Sequence, residues 1–167
     1  MGKRARWTWV AALVLTAVHV RSAGLEGQAA FGVQGSWGDD TDVGVGGRLF
    51  TNLEKLNLDF VASFILFFPD DKGDVDRDAW ELNGNLFYQV HLKDVRSVLP
   101  YLGGGLNVAH REIGSLDDTE LGLNLGGGAR FATSSNVTPF VEIRGVVASD
   151  FNQVVISGGF LFGRPGR

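Results

Sequence analysis

The chain has 167 residues, a formal net charge of -4 and no cysteine. That length bounds a single domain, the acidic balance speaks against a nucleic-acid partner, and the missing cysteines exclude a disulfide scaffold. With 44% hydrophobic and 20% charged residues it is too apolar to be disordered, and its 24 glycines follow no Gly-X-Y period, which excludes collagen.

Residues 1–24 read as a cleavable helical signal peptide. Lys3, Arg4 and Arg6 form a positive start, and Trp7 to Val18 is an apolar run too short for a spanning helix. Ser22-Ala23-Gly24 supplies small residues for cleavage, and a later site at Gly27-Gln28-Ala29 keeps the cut within 22–29. Residues 25–167 then form one domain.

That domain is a succession of two-residue rhythms broken by Gly, Asp, Asn, Ser and Pro clusters. The first strand, from about Gln28 to Trp37, sets Phe31, Val33 and Trp37 against Gln34 and Ser36. The second sets Val43, Val45 and Leu49 against Asp42 and Arg48, and Thr51-Asn52-Leu53-Glu54 reads as a turn. In the third, Leu56 to Phe68 alternate with Asn57, Asp59, Val61 and Ser63; a solvated acidic loop, Pro69 to Asp78, follows. The fourth, Trp80 to Leu92, has apolar even positions apart from Gly84 and polar odd positions apart from Phe87.

Lys93 to Pro100 reads as a connector. The fifth strand sets Leu102, Leu106 and Val108 against Tyr101, Asn107 and Ala109, and Glu112 to Thr119 reads as an acidic loop. The sixth opposes Leu121, Leu123, Leu125 and Phe131 to Gly122, Asn124 and Arg130. The seventh opposes Val141, Ile143 and Val147 to Glu142 and Arg144. The eighth opposes Val154, Ile156, Phe160 and Phe162 to Gln153 and Ser157. An even number of hairpin-linked strands predicts an all-β, eight-stranded antiparallel up-and-down barrel.

Alternation alone fits two opposite barrels: a secreted soluble barrel of lipocalin type, apolar inside and binding a small ligand, or a transmembrane barrel, apolar outside. The polar face of these strand cores carries no lysine, unlike a wall that faces water. Aromatics gather at strand ends: Trp37, Phe68 and Trp80 at one rim, Phe131, Phe160 and Phe162 at the other. Two such girdles suit a membrane with both termini periplasmic. The inward polar set is then Arg48, Asp59, Glu81, Asn83, Asn124, Arg130, Glu142 and Arg144, with Asn85, Gln89 and Asn107 beside it. These residues either fill the lumen as a structural network or line a narrow pore. Inward glycines such as Gly103 and Gly128 leave room for Phe87 and Tyr101, or for a thin water path.

No motif carries catalysis, a cofactor or a metal. The glycine triplets at Gly103 and Gly126 open no helix and precede no Gly-Lys-Ser. His91 is placed in the lumen near the periplasmic end, and His110 near the opposite rim. His110 with Ser115 and Asp117 is the nearest approach to a triad, without a triad's spacing. The acidic run from Asp70 to Asp78 lacks EF-hand spacing.

Pro100-Tyr101-Leu102-Gly103-Gly104-Gly105, Leu123 to Phe131, Thr138-Pro139-Phe140-Val141-Glu142 and the closing strand Val154 to Phe162 resemble the small outer-membrane β-barrel superfamily, OmpX-like and opacity-protein-like. The resemblance covers most of the mature chain. It implies location in the bacterial outer membrane, with outer-membrane lipid and the assembly machinery as partners; the oligomeric state is left open, with a monomer favoured. It also implies a structural or interaction role, with a narrow porin-like channel as the alternative. Phe162 is followed by Gly163-Arg164-Pro165-Gly166-Arg167, a departure from barrels that end on an aromatic. The outer loops also read as short.

Overall fold

The computed structural model describes residues 29–53, 56–68, 77–93, 97–113, 116–149 and 152–163. They form β1 (Ala29–Gly38), β2 (Asp42–Leu53), β3 (Leu58–Phe68), β4 (Arg77–Gln89), β5 (Val98–Ile113), β6 (Leu116–Phe131), β7 (Val137–Val147) and β8 (Asn152–Gly163). Each strand pairs antiparallel with its chain neighbour. β1 also pairs with β8, from Ala30↔Gly163 to Gly38↔Val155, which closes the barrel. Closure gives the main-chain amides of the wall a partner on both sides, the condition a sheet must meet in hydrocarbon.

The tight turns use residues suited to them. Asp42 and Asn57, which open the second strand of their hairpins, have φ of 57° and 53°, a region that Asp and Asn tolerate better than other side chains with a Cβ.

Several strands run past their expected ends. Thr51 to Leu53 belong to β2 and are not a turn, because they continue the ladder as far as Leu53↔Leu58. The expected loop from Glu112 to Thr119 is mostly strand: β5 and β6 extend to Ile113 and from Leu116, paired throughout. Charge hides a strand here because both faces of this part of the sheet are polar, so the two-residue signal vanishes. β5 likewise starts at Val98, inside the expected connector. β4 stops at Gln89, so His91 lies beyond the strand and is exposed, not in the lumen. The predicted signal peptide and residues 69–76 of the acidic loop lie outside the described residues.

The two faces of the wall separate as the alternation requires. Phe31, Val33, Val45, Leu82, Leu86, Leu106, Leu123, Leu125, Ile143 and Ile156 all point outward and are exposed, Leu125 at 75%. A soluble barrel of lipocalin type has its apolar face inside; this barrel has the opposite arrangement. The interior is not purely polar, however. Phe50, Val61, Phe87, Tyr101, Phe140 and Leu161 form one apolar cluster toward the end that carries the termini. Ile65, Phe67, Ala79, Val146 and Val155 form another toward the opposite end.

Glycine makes room for the larger cluster. Gly103 lies across from Phe87 and Gly128 across from Tyr101. A Cβ on Gly128 would stand 2.7 Å from the Tyr101 hydroxyl and closer still to the Val141 carbonyl. The two rings thereby meet edge-on at 4.9 Å, and these glycines serve ring packing rather than a water path.

Two outcomes follow from this wall. Leu123, flanked outward by Leu106 and Val147, is a lipid-facing site, so Leu123→Arg is expected to cost about 2–4 kcal/mol, read from urea unfolding in lipid vesicles. Gly128→Leu is expected to abolish the compact, heat-modifiable band on cold gels, because the carbonyl of Val141 cannot move without breaking its own ladder.

Candidate functional site

The polar residues of the lumen form three ion pairs stacked along the barrel, each joining walls that are not neighbours. Nearest the termini, Arg130 of β6 donates to Asp59 of β3 at 2.6 Å. Asn52 and Gln89 donate to the other Asp59 oxygen at 2.7 and 2.8 Å. The Arg130 guanidinium also lies 4.5 Å over the Phe50 ring, a cation–π contact in a site without bulk water.

Beside the larger apolar cluster, Arg48 of β2 grips Glu142 of β7 with both terminal nitrogens, at 3.0 and 3.1 Å. This two-pronged geometry suits a planar guanidinium and a carboxylate. Arg48 Nε donates to Gln34 at 2.7 Å, and the Tyr101 hydroxyl donates to Glu142 at 3.1 Å. Phe140 lies under the guanidinium at 4.1 Å.

The third level is the most populated. Arg144 of β7 donates to Glu81 of β4 at 2.7 Å, and Gln153 donates to the other Glu81 oxygen. Thr41 passes the chain of bonds on to Gln153. An asparagine cluster adjoins this pair. Asn124 donates to Asn83 and Asn85 at 3.0 and 2.9 Å, and Asn107 donates to Asn83 at 2.8 Å.

All eight polar residues expected in the lumen therefore point inward and are buried, in three groups rather than one. Four partners were not on that roster. Gln34 and Gln153 lie at inward parity, so the alternation could have supplied them. Asn52 was hidden by the turn assignment, and Thr41 lies before β2, where no rhythm runs. A cavity of about 10 Å³ lies among Arg48, Asp59, Tyr101 and Arg130, room for about one water molecule.

The aromatics divide by end. Trp37, Phe68 and Trp80 lie toward the end opposite the termini, with Phe68 and Trp37 both paired to Val43. Phe131 and Phe162 lie at the terminal end, Phe162 stacked on Phe31 at 5.3 Å; Phe160 sits one outward step deeper, across from Val33. Tyr88 joins this lower set at outward parity, 50% exposed. At the other rim Trp80 stacks on His110 at 5.3 Å, and His110 Nδ1 lies 2.8 Å from the Thr119 hydroxyl. His110 is thus engaged with Thr119 and Trp80; Ser115 and the Asp117 side chain lie outside the described residues. Among the described residues no group of three or more His, Cys, Asp and Glu could hold a metal.

The family described as outer membrane protein beta-barrel domain matches residues 8–162. The chain belongs to that family. This outer-membrane barrel also shares its fold with solved structures. Neisserial surface protein A is 15% identical with a TM-score of 0.61, over 83% of this chain and 97% of that one. The N-terminal β-barrel domain of Pseudomonas aeruginosa OprF is 15% identical with a TM-score of 0.62, over 83% and 100%. Ail, the attachment invasion locus protein of Yersinia pestis, is 15% identical with a TM-score of 0.51, over 83% and 97%. No curated protein matches the sequence. The outward apolar belt and the family together place the protein in the bacterial outer membrane.

The lumen network carries a stability expectation. Removing one partner of a buried ion pair strands the other charge, so Glu142→Ala is expected to cost about 3–5 kcal/mol. Pairing Arg48→Met with Glu142→Leu is expected to recover most of that loss. Equilibrium unfolding in lipid vesicles measures both.

Proposed function

We propose that this protein is a sealed, non-conducting and non-catalytic envelope barrel, a monomer with periplasmic termini that serves as a structural and interaction platform at the outer surface. The observation that carries the reading is the lumen. Three ion pairs cross it at successive heights, Arg130–Asp59, Arg48–Glu142 and Arg144–Glu81. Two apolar clusters fill the space beside them. An eight-stranded barrel is just wide enough for side chains to fill, and here large side chains from opposite walls meet.

The orientation follows from the usual form of such barrels, with short periplasmic turns and the taller end outside. The turn at residues 132–136 lies at the terminal end, and the raised β5–β6 hairpin lies at the other.

Planar-bilayer recording tests this function. The wild-type protein is expected to give no steady openings in about 1 M salt, where the Debye length is about 3 Å. Arg48→Ala with Glu142→Ala, which empties the middle level, is expected to give small steady openings. Uniform openings in the wild-type protein, altered by Glu142→Ala, would instead establish the narrow channel.

A further inference from the structure

The arginines of the lumen are not equally satisfied. Arg48 uses its whole guanidinium: Nε donates to Gln34, and Nη1 and Nη2 donate to Glu142. Arg130 donates to Asp59 through Nη2. Its Nε and Nη1 have no hydrogen-bond partner among the described residues, although the residue is only 2% exposed. A buried N–H left without an acceptor costs the full desolvation of that group, so native interiors supply one.

There is room for an acceptor. Arg48, Asp59, Tyr101 and Arg130, with Val61 and Leu161, border the cavity of about 10 Å³, the space of about one water molecule. Charge decides what kind of occupant fits. Arg130 pairs with Asp59 and Arg48 with Glu142, so the site is neutral as it stands. An added ion would be an uncompensated charge in the interior, whereas a neutral molecule that both accepts and donates escapes that penalty. Asp59 supplies the second partner. Its Oδ1 accepts from Asn52 and Gln89, and among the described residues Oδ2 accepts from Arg130 alone; a carboxylate oxygen has a further lone pair to offer. In the planar guanidinium Nε and Nη1 each neighbour Nη2, the nitrogen that holds Asp59. A molecule on either one therefore lies beside the carboxylate.

We infer that this cavity is a binding site for one ordered water molecule, which accepts a hydrogen bond from Arg130 and donates one to Asp59. The water completes the ion pair nearest the termini and ties β6 to β3 by a second route beside the direct contact of 2.6 Å. The inference goes beyond the sealed lumen and does not depend on it, since conductance does not read a single bound molecule. One water that bridges the intact pair is neither a path through the lumen nor solvent for a charge that loses its partner.

The test uses the full barrel, crystallised once from sodium chloride and once from sodium bromide. The expected result is one water oxygen within about 2.7–3.2 Å of Arg130 Nε or Nη1, with no anomalous bromide signal in the cavity. An empty cavity overturns the inference, and so does a bromide peak, which assigns the site to an anion. Urea unfolding in lipid vesicles supplies a second reading. Val61→Ile adds a methylene at the cavity wall. Filling a dry cavity raises stability, whereas displacing a bound water strands the Arg130 donors, so the urea midpoint is expected to fall. With Arg130→Met and Asp59→Leu, which remove both partners of the water, Val61→Ile is expected to hold or raise the midpoint. A raised midpoint in the otherwise unaltered barrel, or an equal fall in both backgrounds, would also overturn the inference. The crystallographic reading needs no variant, so failure of the triple substitution to fold does not spare the inference.

Discussion

Everything in this molecule depends on the obligation of each main-chain N–H and C=O in hydrocarbon to find a partner within the protein. Leaving one unmade costs several kcal/mol, so the sheet has no stable form in a bilayer until β1 meets β8. The pairing from Ala30↔Gly163 to Gly38↔Val155 meets that demand. Once the ring is closed, the parity of every strand is locked to its two neighbours. A slip of one residue would send Leu123 inward and Asn124 into lipid, which is why register in such a wall is strongly specified.

Closure creates a second problem, because the ring of strands encloses a narrow space that must be filled. The solution intermixes charge and ring in the lumen. Asp59 lies across the ladder from Phe87 and Arg130 from Phe140, and Arg48–Glu142 borders the same cluster through Tyr101 and Phe140. Phe50 and Phe140 serve both layers, since each packs in the cluster and lies against a guanidinium. Glycines at 103 and 128 remove side chains where the rings need depth. A charge without its partner has no water to turn to, so each pair is tied to the integrity of the whole stack.

The raised side of the wall obeys different physics. Above the row of Trp80 and His110 the sheet leaves lipid, and water can satisfy an open edge. Among the described residues β6 outruns β7 there, and its charged residues need not segregate by face. This is also where the alternation failed as a guide. Glu112 and Asp118 look like loop residues because the periodic signal marks strands only where the two faces differ. Thr51 to Leu53 failed for a related reason: a short run of Thr and Asn reads as a turn until Leu53 is seen paired with Leu58.

What the sequence by itself determined was the parity of the wall. Thirteen residues from Trp80 to Leu92 already separate Leu82 and Leu86 from Glu81 and Asn83, and the same rule places Arg48, Asp59, Arg130, Glu142 and Arg144 inside. Local geometry suffices for this, because side chains alternate within a single strand. Only the tertiary structure decided who meets whom. Arg48 finds Glu142 rather than Asp59, and Glu81 finds Arg144, because shear and closure set the height of each strand across the ring. That height is a property of all eight strands together, and no stretch of sequence shorter than the barrel contains it.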